Sequence, residues 1–131
     1  MKFRYTLLYV QDVAASLRFY EDAFGLKPRF LAEGGQYGEL EVEGPVSLGF
    51  VGNAQAAGNL PDGFLANDPR SRPGGFEIGL VTEDVAAAFA RAVKAGARPA
   101  AAPEAKPWGQ TIAYVRDRDG VLVELCSPPA H

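Results

Sequence analysis

The chain has 131 residues and a formal net charge of −3, from 13 Lys and Arg residues against 16 Asp and Glu residues. This length allows one domain or two small ones, and the lack of any Lys/Arg run argues against a nucleic-acid partner. The apolar stretches are much shorter than the ~20 residues of a membrane-spanning helix, so we expect no membrane partner either.

Cysteine and histidine occur once each, as Cys126 and His131. A single cysteine excludes an internal disulfide framework and a cluster of cysteine metal ligands. A metal site with several histidine ligands cannot be built from this chain alone. The first residues predict a strand rather than a signal peptide, and Cys126 needs no oxidising compartment. We therefore expect a cytoplasmic location.

The first half of the sequence predicts one strand, one helix and three further strands. Alternating residues predict a strand over Phe3–Val10. Asp12 is a candidate helix N-cap, apolar residues then recur at helical spacing, and Gly25 stands where a left-handed C-cap belongs. The strands predicted after this helix are Lys27–Ala32, Tyr37–Val42 and Val46–Val51.

The second half of the sequence repeats this pattern. The tetrapeptide DVAA occurs at residues 12–15 and again at 84–87, and Gly25 and Gly96 close the two predicted helices at almost the same offset. A β-α-β-β-β unit used twice explains both matches. The predicted strands here are Phe76–Val81, Arg98–Ala101, Thr111–Arg116 and Val121–Cys126, with Asp119-Gly120 as a tight turn.

These patterns predict a single domain of the α+β class made of two modules. The first module covers residues 3–52 and the second covers residues 76–127. Residues 53–75 are rich in Gly, Pro, Asn and Ala, and we expect them to form a linker loop, part of which packs down through Leu60, Phe64 and Leu65.

Two stretches carry the duplicated pattern most clearly: VQDVAASLRFYEDAFG at residues 10–25 and WGQTIAYVRDRDGVLVEL at residues 108–125. Together they resemble the vicinal oxygen chelate superfamily, which contains glyoxalases, bleomycin resistance proteins and ring-cleaving dioxygenases. Arg118 departs from the family, where proline is common. The resemblance implies two βαβββ modules that form one curved, mixed eight-stranded sheet, with helices on the convex side and the ligand on the concave face.

Metal-dependent members of this superfamily supply ligands from four strand positions. The resemblance places these positions at Tyr5, Gly49, Glu77 and Glu124. Tyr5 and Glu77 are also equivalent by the repeat, since each lies seven residues before the Asp of its DVAA. Only two of the four are carboxylates, and a firmly held divalent ion usually needs three or more protein ligands. We expect no resident metal, with weak Mg²⁺ or Mn²⁺ binding as the alternative.

Glu77 and Glu124 are the candidate catalytic residues. Each interrupts an apolar run of a strand that we expect to be central in the sheet, where a carboxylate is costly unless it is paired or protonated. The alternative is an ordinary solvent-facing glutamate, with Glu124 paired to an arginine. If both share one face, the pKa of at least one should rise. We expect Cys126 to be buried in the core rather than to act as a nucleophile, because no histidine can pair with it.

Aromatic residues complete the predicted ligand site. Tyr5, Leu7 and Tyr9 alternate along the first strand and therefore share one face. Trp108 has two interpretations: it caps the core, or it borders the cavity as a Trp-Gly pair does in relatives. An aromatic cup with two acids suits a neutral or cationic organic molecule better than a phosphate. The predicted ligand-binding residues are Tyr5, Leu7, Tyr9, Gly49, Glu77, Trp108 and Glu124.

Two classes of function remain open from the sequence. The favoured one is metal-independent binding of a small aromatic or antibiotic-like molecule, as in bleomycin- and mitomycin-binding relatives. The alternative is a lyase, isomerase or dioxygenase that uses a divalent metal or a glutamate base. The residue types at Tyr5 and Gly49 favour binding. We also expect a homodimer, because open sheet edges invite pairing and because relatives are commonly dimers.

Overall fold

The structure is a computed structural model that describes residues 1–129, so His131 lies outside the described residues. The chain divides into two compact units, Met1–Ala66 and a second that begins at Asn67. The elements follow in the order β1 (Tyr5–Val10), α1 (Val13–Phe24), β2 (Pro28–Leu31), β3 (Tyr37–Leu40), β4 (Ser47–Gly52), α2 (Asn53–Asn59), β5 (Glu77–Val81), α3 (Val85–Lys94), β6 (Arg98–Ala105), β7 (Thr111–Arg116) and β8 (Leu122–Cys126).

The predicted α+β class with two βαβββ modules is confirmed. The eight strands form two hydrogen-bonded sheets of four, in the orders β1-β4-β3-β2 and β5-β8-β7-β6. In each sheet the first and last strands of the module pair in parallel, and the other neighbours are antiparallel. No helix within residues 1–129 is both long enough and apolar enough to cross a membrane.

In the first unit, helix α1 covers one face of the sheet. Tyr20 of the helix is 1% exposed, and its ring centroid lies 5.0 Å from that of Phe50 on β4. A Cβ atom at Gly38 would lie 2.8 Å from Cδ1 of Leu17, so the missing side chain lets the helix approach strand β3 closely. The buried strand residues of this layer are Leu8, Val10, Leu40, Leu48 and Phe50.

In the second unit, helix α3 packs in the same way against β6, β7 and β8. The buried strand residues are Ile78, Ala113, Val115, Val123 and Leu125. Strand β8 is an inner strand of this sheet, whereas β5 lies at its edge. The expectation that Glu77 lies on a central strand is therefore wrong within this four-stranded sheet, and Glu77 is correspondingly exposed.

Side chains on the opposite side of each sheet point away from helix α1 or α3, because strand residues alternate between the two faces. We call these the helix-free faces. The first is formed by Tyr5, Leu7, Tyr37, Glu39 and Gly49, and the second by Glu77, Gly79, Tyr114, Glu124 and Cys126.

The segment predicted as a linker loop contains a helix. Helix α2 follows directly after β4, and its Ala56 is 1% exposed. Farther along, the ring of Phe64 packs edge-on against the ring of Tyr9, with centroids 5.0 Å apart. The unpatterned Ala- and Gly-rich sequence gives no periodic signal for this helix, since only one of its residues is buried.

The Asp119-Gly120 tight turn is present between β7 and β8. The Asp117 carboxylate accepts hydrogen bonds of 2.9 Å from the backbone N–H groups of Asp119 and Val121. Arg116 donates through Nε to the Gly120 carbonyl at 2.9 Å. Gly120 has a φ of 90°, which favours glycine. Part of the stretch at residues 108–125 that resembles the superfamily thus builds the hairpin that carries Glu124.

The two helix N-caps lead to the first testable prediction. The carboxylates of Asp12 and Asp84 each accept a 3.0 Å hydrogen bond from the backbone N–H three residues on. Replacing either by alanine should lower the free energy of unfolding by about 1 kcal/mol, measured by urea denaturation. Asp12→Asn is the control, because asparagine also caps. A loss in Asp12→Asn as large as in Asp12→Ala would contradict the capping role.

Candidate functional site

Glu77 and Glu124 lie together on the helix-free face of the second unit. The parallel pairing of β5 and β8 sets Gly79 opposite Glu124, so Glu77 is its diagonal neighbour. The two carboxyl groups are hydrogen-bonded to each other. Tyr114 stands opposite Glu124 on β7 and donates its hydroxyl to Oε1 of Glu124 at 3.2 Å. The structure thus brings the two predicted acids together and adds a tyrosine.

The pKa values of the two acids are shifted in opposite directions. The hydrogen bond with Glu124, then burial, then the repulsion of that carboxylate raise the pKa of Glu77 from 4.5 to about 7. The same hydrogen bond lowers the pKa of Glu124. Near neutral pH, Glu77 therefore holds the proton for part of the time while Glu124 stays ionised, which is the behaviour of two interacting acids.

Two further donors keep Glu124 charged. Burial, followed by the charges of Glu124 and Glu77, raises the pKa of Tyr114 to about 12. Burial and a hydrogen bond with Glu124 also raise the pKa of the Cys126 thiol. Cys126 is 7% exposed, so the expectation that it is buried is confirmed. Both groups keep their protons at neutral pH and can donate them to Glu124 as hydrogen bonds.

Open space lies beside this group of side chains. A Cβ atom at Gly79 would meet no atom within 4 Å, and Gly79 is exposed. Glycine at this position leaves the surface next to Glu124 uncovered. A small molecule placed there has two carboxyl groups and a phenol within reach of its polar atoms.

The first unit is crowded at the equivalent point. In the first unit, Leu7 on β1 pairs with Gly49 on β4. In the second unit, the equivalent pair is Gly79 on β5 and Glu124 on β8, so Gly49 and Glu124 occupy matching positions. A Cβ atom at Gly49 would lie 2.8 Å from the backbone oxygen of Gly38 and 3.1 Å from Cδ2 of Leu7. The backbone oxygen cannot move aside cheaply, so this position has no room for a side chain that binds metal.

A buried carboxylate that the sequence analysis missed lies next to this point. Glu39 is 6% exposed and pairs across the sheet with Gly49. Tyr37 donates its hydroxyl to Oε2 of Glu39 at 2.5 Å, and Nη1 of Arg29 lies 3.6 Å from Oε1. Burial, then the hydrogen bond to Glu39, raise the pKa of Tyr37, so it remains a donor.

The remaining predicted residues differ in exposure. Tyr5 is 52% exposed and Leu7 38% exposed on the first helix-free face, whereas Tyr9 packs partly against Phe64. Trp108 is 56% exposed in the turn before β7, and its indole N–H donates to Gln110 Oε1 at 3.0 Å. Trp108 therefore does not cap the core.

Register could have identified one missed residue. Counting outward from the Asp119-Gly120 turn pairs position 114 with position 124, so Tyr114 was predictable as a neighbour of Glu124. Glu39 had no such signal. Its burial depends on contacts from Arg29 and Tyr37 that a hydrophobic pattern does not encode.

The donor chemistry of the four positions implied by the resemblance does not fit a firmly held divalent metal. A glycine without room for a side chain and a tyrosine stand at two of them, and Glu77 is partly protonated near neutral pH. Within residues 1–129, no group of three or more His, Cys, Asp or Glu side chains could hold an ion.

Comparison with known proteins gives a family and a fold. The model of the Glyoxalase/Bleomycin resistance protein/Dioxygenase superfamily matches residues 2–125. No curated protein gives a significant match. A glyoxalase-related enzyme from Fulvimarina pelagi is similar in structure, with a TM-score of 0.81 and 23% identity over 98% of this chain and 88% of that chain.

Two further solved structures show the same fold. A glyoxalase/bleomycin resistance protein/dioxygenase family enzyme from Burkholderia phytofirmans PsJN has a TM-score of 0.75 and 19% identity, over 97% of this chain and 98% of its own. TioX from Micromonospora sp. ML1 has a TM-score of 0.69 and 20% identity over the same two shares. At these identities the similarity shows the fold alone.

The shared proton generates a pH prediction. Glu77 binds its proton more tightly in the folded chain, where its pKa is about 7, than at its ordinary value of 4.5. Between these values the folded state holds more protons, so Glu77 makes the free energy of unfolding fall as the pH rises. The stability of wild type relative to Glu77→Gln should therefore be greatest near pH 4.5 and decline through pH 7, measured by urea unfolding.

Glu83→Gln is the charge-matched control for this experiment, since Glu83 is an exposed carboxylate of the same unit. The stability of wild type relative to Glu83→Gln should not decline over that range. A parallel pH dependence in the two variants would show that loss of net charge, rather than the pairing of Glu77 with Glu124, causes the effect.

Proposed function

The chain belongs to the glyoxalase/bleomycin resistance protein/dioxygenase superfamily, and from this premise we propose that it binds a small aromatic or antibiotic-like molecule without a resident metal ion. The observation that carries the proposal is the uncovered surface at Gly79 beside the hydrogen-bonded Glu77, Glu124 and Tyr114. A small number of fixed polar groups that orient the ligand is typical of small-molecule sites.

The helix-free face of the first unit supports the same function. Tyr5 and Leu7 lie in a sheet yet remain about half and a third exposed, respectively. Contact with an organic molecule would remove this apolar surface from water, which is favourable at roughly 25 cal/mol per Å². An aromatic ring also offers its face for stacking on a flat ligand.

The polar groups beside Gly79 select for particular ligand atoms. Tyr114 directs its proton toward Glu124, so its oxygen is left to accept a hydrogen bond. Glu124 accepts as a carboxylate, and protonated Glu77, whose O–H donates to Glu124, keeps a carbonyl oxygen that can accept. A ligand with N–H or O–H donors matches this set of acceptors, and a phosphate does not, because it would meet the negative charge of Glu124.

The residue types support metal independence. Of the four strand positions that supply metal ligands in relatives, one is a glycine here and one is Tyr5. Glu77 and Glu124 are the two carboxylates among them. Two carboxylates with water can hold Mg²⁺ or Mn²⁺ weakly, but a permanent site needs more protein ligands. We propose that any divalent ion binds reversibly.

One observation favours an enzyme as the second candidate. A pKa of about 7 allows Glu77 to give or take a proton near neutral pH, as a general acid or base must. A lyase or isomerase that moves a proton next to a carbonyl would use this property. In that case Glu77→Gln abolishes turnover while ligand binding persists.

We also propose a homodimer in the cytoplasm. Phe30 and Leu31 on the edge strand β2 are 42% and 46% exposed, and uncovered apolar edge strands favour association. The buried thiol of Cys126, which needs no oxidising compartment, supports the location.

A steric substitution tests the ligand site. Gly79→Val fills the open space beside Glu124 without altering any polar group, so it should weaken binding of a ligand at this face at least about tenfold. Ligands are first identified by Trp108 fluorescence against a panel of aromatic metabolites and antibiotics. Affinities are then measured by calorimetry on chelator-treated protein.

Gly75→Val is the matched control, since a Cβ atom at Gly75 also meets nothing within 4 Å but lies in the loop before β5. Equal affinity in Gly79→Val and wild type would refute the site. A requirement for stoichiometric Zn, Ni, Fe or Mn would refute metal-independent binding.

The first helix-free face makes a separate prediction. Tyr5→Ala should weaken an aromatic ligand bound at this face about 3- to 10-fold if its ring stacks on the ligand. Leu65→Ala is the control, because Leu65 is 98% exposed in the loop after α2. Unchanged affinity in Tyr5→Ala would remove Tyr5 from the site.

Light scattering tests the dimer. We expect about 28 kDa, twice the 14.0 kDa of one chain, at micromolar concentration. Leu31→Glu on strand β2 should shift the mass toward that of a monomer. A mass near 14.0 kDa for wild type would exclude the dimer.

A further inference from the structure

We propose that the helix-free face of the first unit contains an anion subsite, formed by Arg4 and Arg29, that takes the carboxylate of an aromatic ligand. The inference rests on the proposed function, since it specifies one polar group of an aromatic ligand bound at the first face. It concerns a different unit from the acid pair and a different charge.

Two contacts hold the Arg4 guanidinium in place. Its Nη1 donates to the Ser47 hydroxyl, and its guanidinium carbon lies 4.8 Å from the centroid of the Tyr5 ring. Both contacts hold the guanidinium on the aromatic side of the sheet. A guanidinium carries five N–H donors, so this exposed group keeps donors for a ligand after the contact with Ser47.

Arg29 approaches the same surface from strand β2. Its side chain is 38% exposed, and the 3.6 Å separation from Glu39 is longer than an ordinary hydrogen bond. Glu39 is engaged more tightly by the Tyr37 hydroxyl at 2.5 Å. Arg29 is thus an incompletely satisfied cation that is held near the sheet by charge attraction.

Electrostatic contact links the two arginines through the tyrosines. Arg4 and Tyr5 are both close enough to act on the Tyr37 hydroxyl, and Tyr37 in turn contacts Glu39, the partner of Arg29. Their anchor residues, Ser47 and Glu39, lie on adjacent strands, on the order of 8 Å apart from strand spacing and rise. Two flexible arginine side chains can converge on one carboxylate over that distance.

The charge balance favours an anion here. Two arginines and one carboxylate leave a net charge of +1 on this cluster, in a chain whose net charge is −3. Guanidinium groups match carboxylates geometrically, and the rings of Tyr5 and Phe30 provide apolar surface beside them. The chemistry assigned is therefore a carboxylate attached to an aromatic ring.

The experiment uses benzoate as the probe and neutral benzamide as its matched analogue. Amide resonances of the ¹⁵N-labelled full chain are followed during titration. Benzoate should shift resonances of β1 and β3 saturably, and benzamide should bind at least about tenfold more weakly. Raising the salt concentration should weaken benzoate, because the attraction is screened.

Three substitutions give opposite expected signs. Arg4→Gln and Arg29→Gln should each lower the affinity for benzoate about fivefold or more. Glu39→Gln removes the negative charge and should raise this affinity about twofold or more. Arg18→Gln is the control, since Arg18 is an exposed arginine of helix α1 on the other side of the sheet. It should leave the affinity unchanged.

The outcomes separate this inference from the proposed function. Equal binding of benzoate and benzamide to the first face, unaffected by either arginine variant, would overturn the anion subsite while leaving aromatic binding intact. Failure of benzoate to bind, or an equal loss in Arg18→Gln, would also overturn it. Weaker benzoate binding in Glu39→Gln would contradict the charge balance on which the subsite is argued, and would overturn it too.

Discussion

Each four-stranded sheet is covered by one main helix, and one helix can bury only one face of a sheet. Helix α1 packs against the first sheet and helix α3 against the second, which leaves a helix-free face in each unit. The candidate site depends on this constraint. The strands alternate, which sends half of their residues away from the helix and leaves Tyr5 and Glu77 exposed, while Glu39 and Cys126 are buried on the same faces.

The duplicated framework places similar chemistry at different strands in the two units. In the second unit, Glu124 on β8 accepts a hydrogen bond from Tyr114 on β7. In the first unit, Glu39 on β3 accepts from Tyr37 two residues away, while the β4 position holds Gly49. A tyrosine–carboxylate contact therefore recurs, but with the carboxylate shifted by one strand. The crowding at Gly49 is the physical reason why the acid cannot occupy the matching position.

The sequence was sufficient for features that depend on local geometry. Asp12 and Asp84 cap their helices as predicted, Gly25 adopts a φ of 72°, and the Asp119-Gly120 turn sets the register of β7 and β8. Features that depend on tertiary contacts could not be predicted from the sequence. Helix α2 has one buried residue and no periodic pattern, and the burial of Glu39 depends on partners from two other positions. The proximity of Glu77 and Glu124 was predicted from the resemblance to the superfamily, but which acid holds the proton was not.

The proton is assigned by an asymmetry in hydrogen-bond donors. Glu124 lies on the inner strand β8, between Tyr114 on β7 and the neighbouring strand β5. It also accepts a hydrogen bond from the Cys126 thiol. Glu77 lies at the sheet edge and shares Tyr114 less favourably. The ionised form is therefore concentrated on Glu124, since donors stabilise a carboxylate, and the proton moves to Glu77. The hydrogen bond with Glu77 is the main cause of the lowered pKa of Glu124, and the Cys126 and Tyr114 donors, which contribute no charge of their own at neutral pH, lower it further.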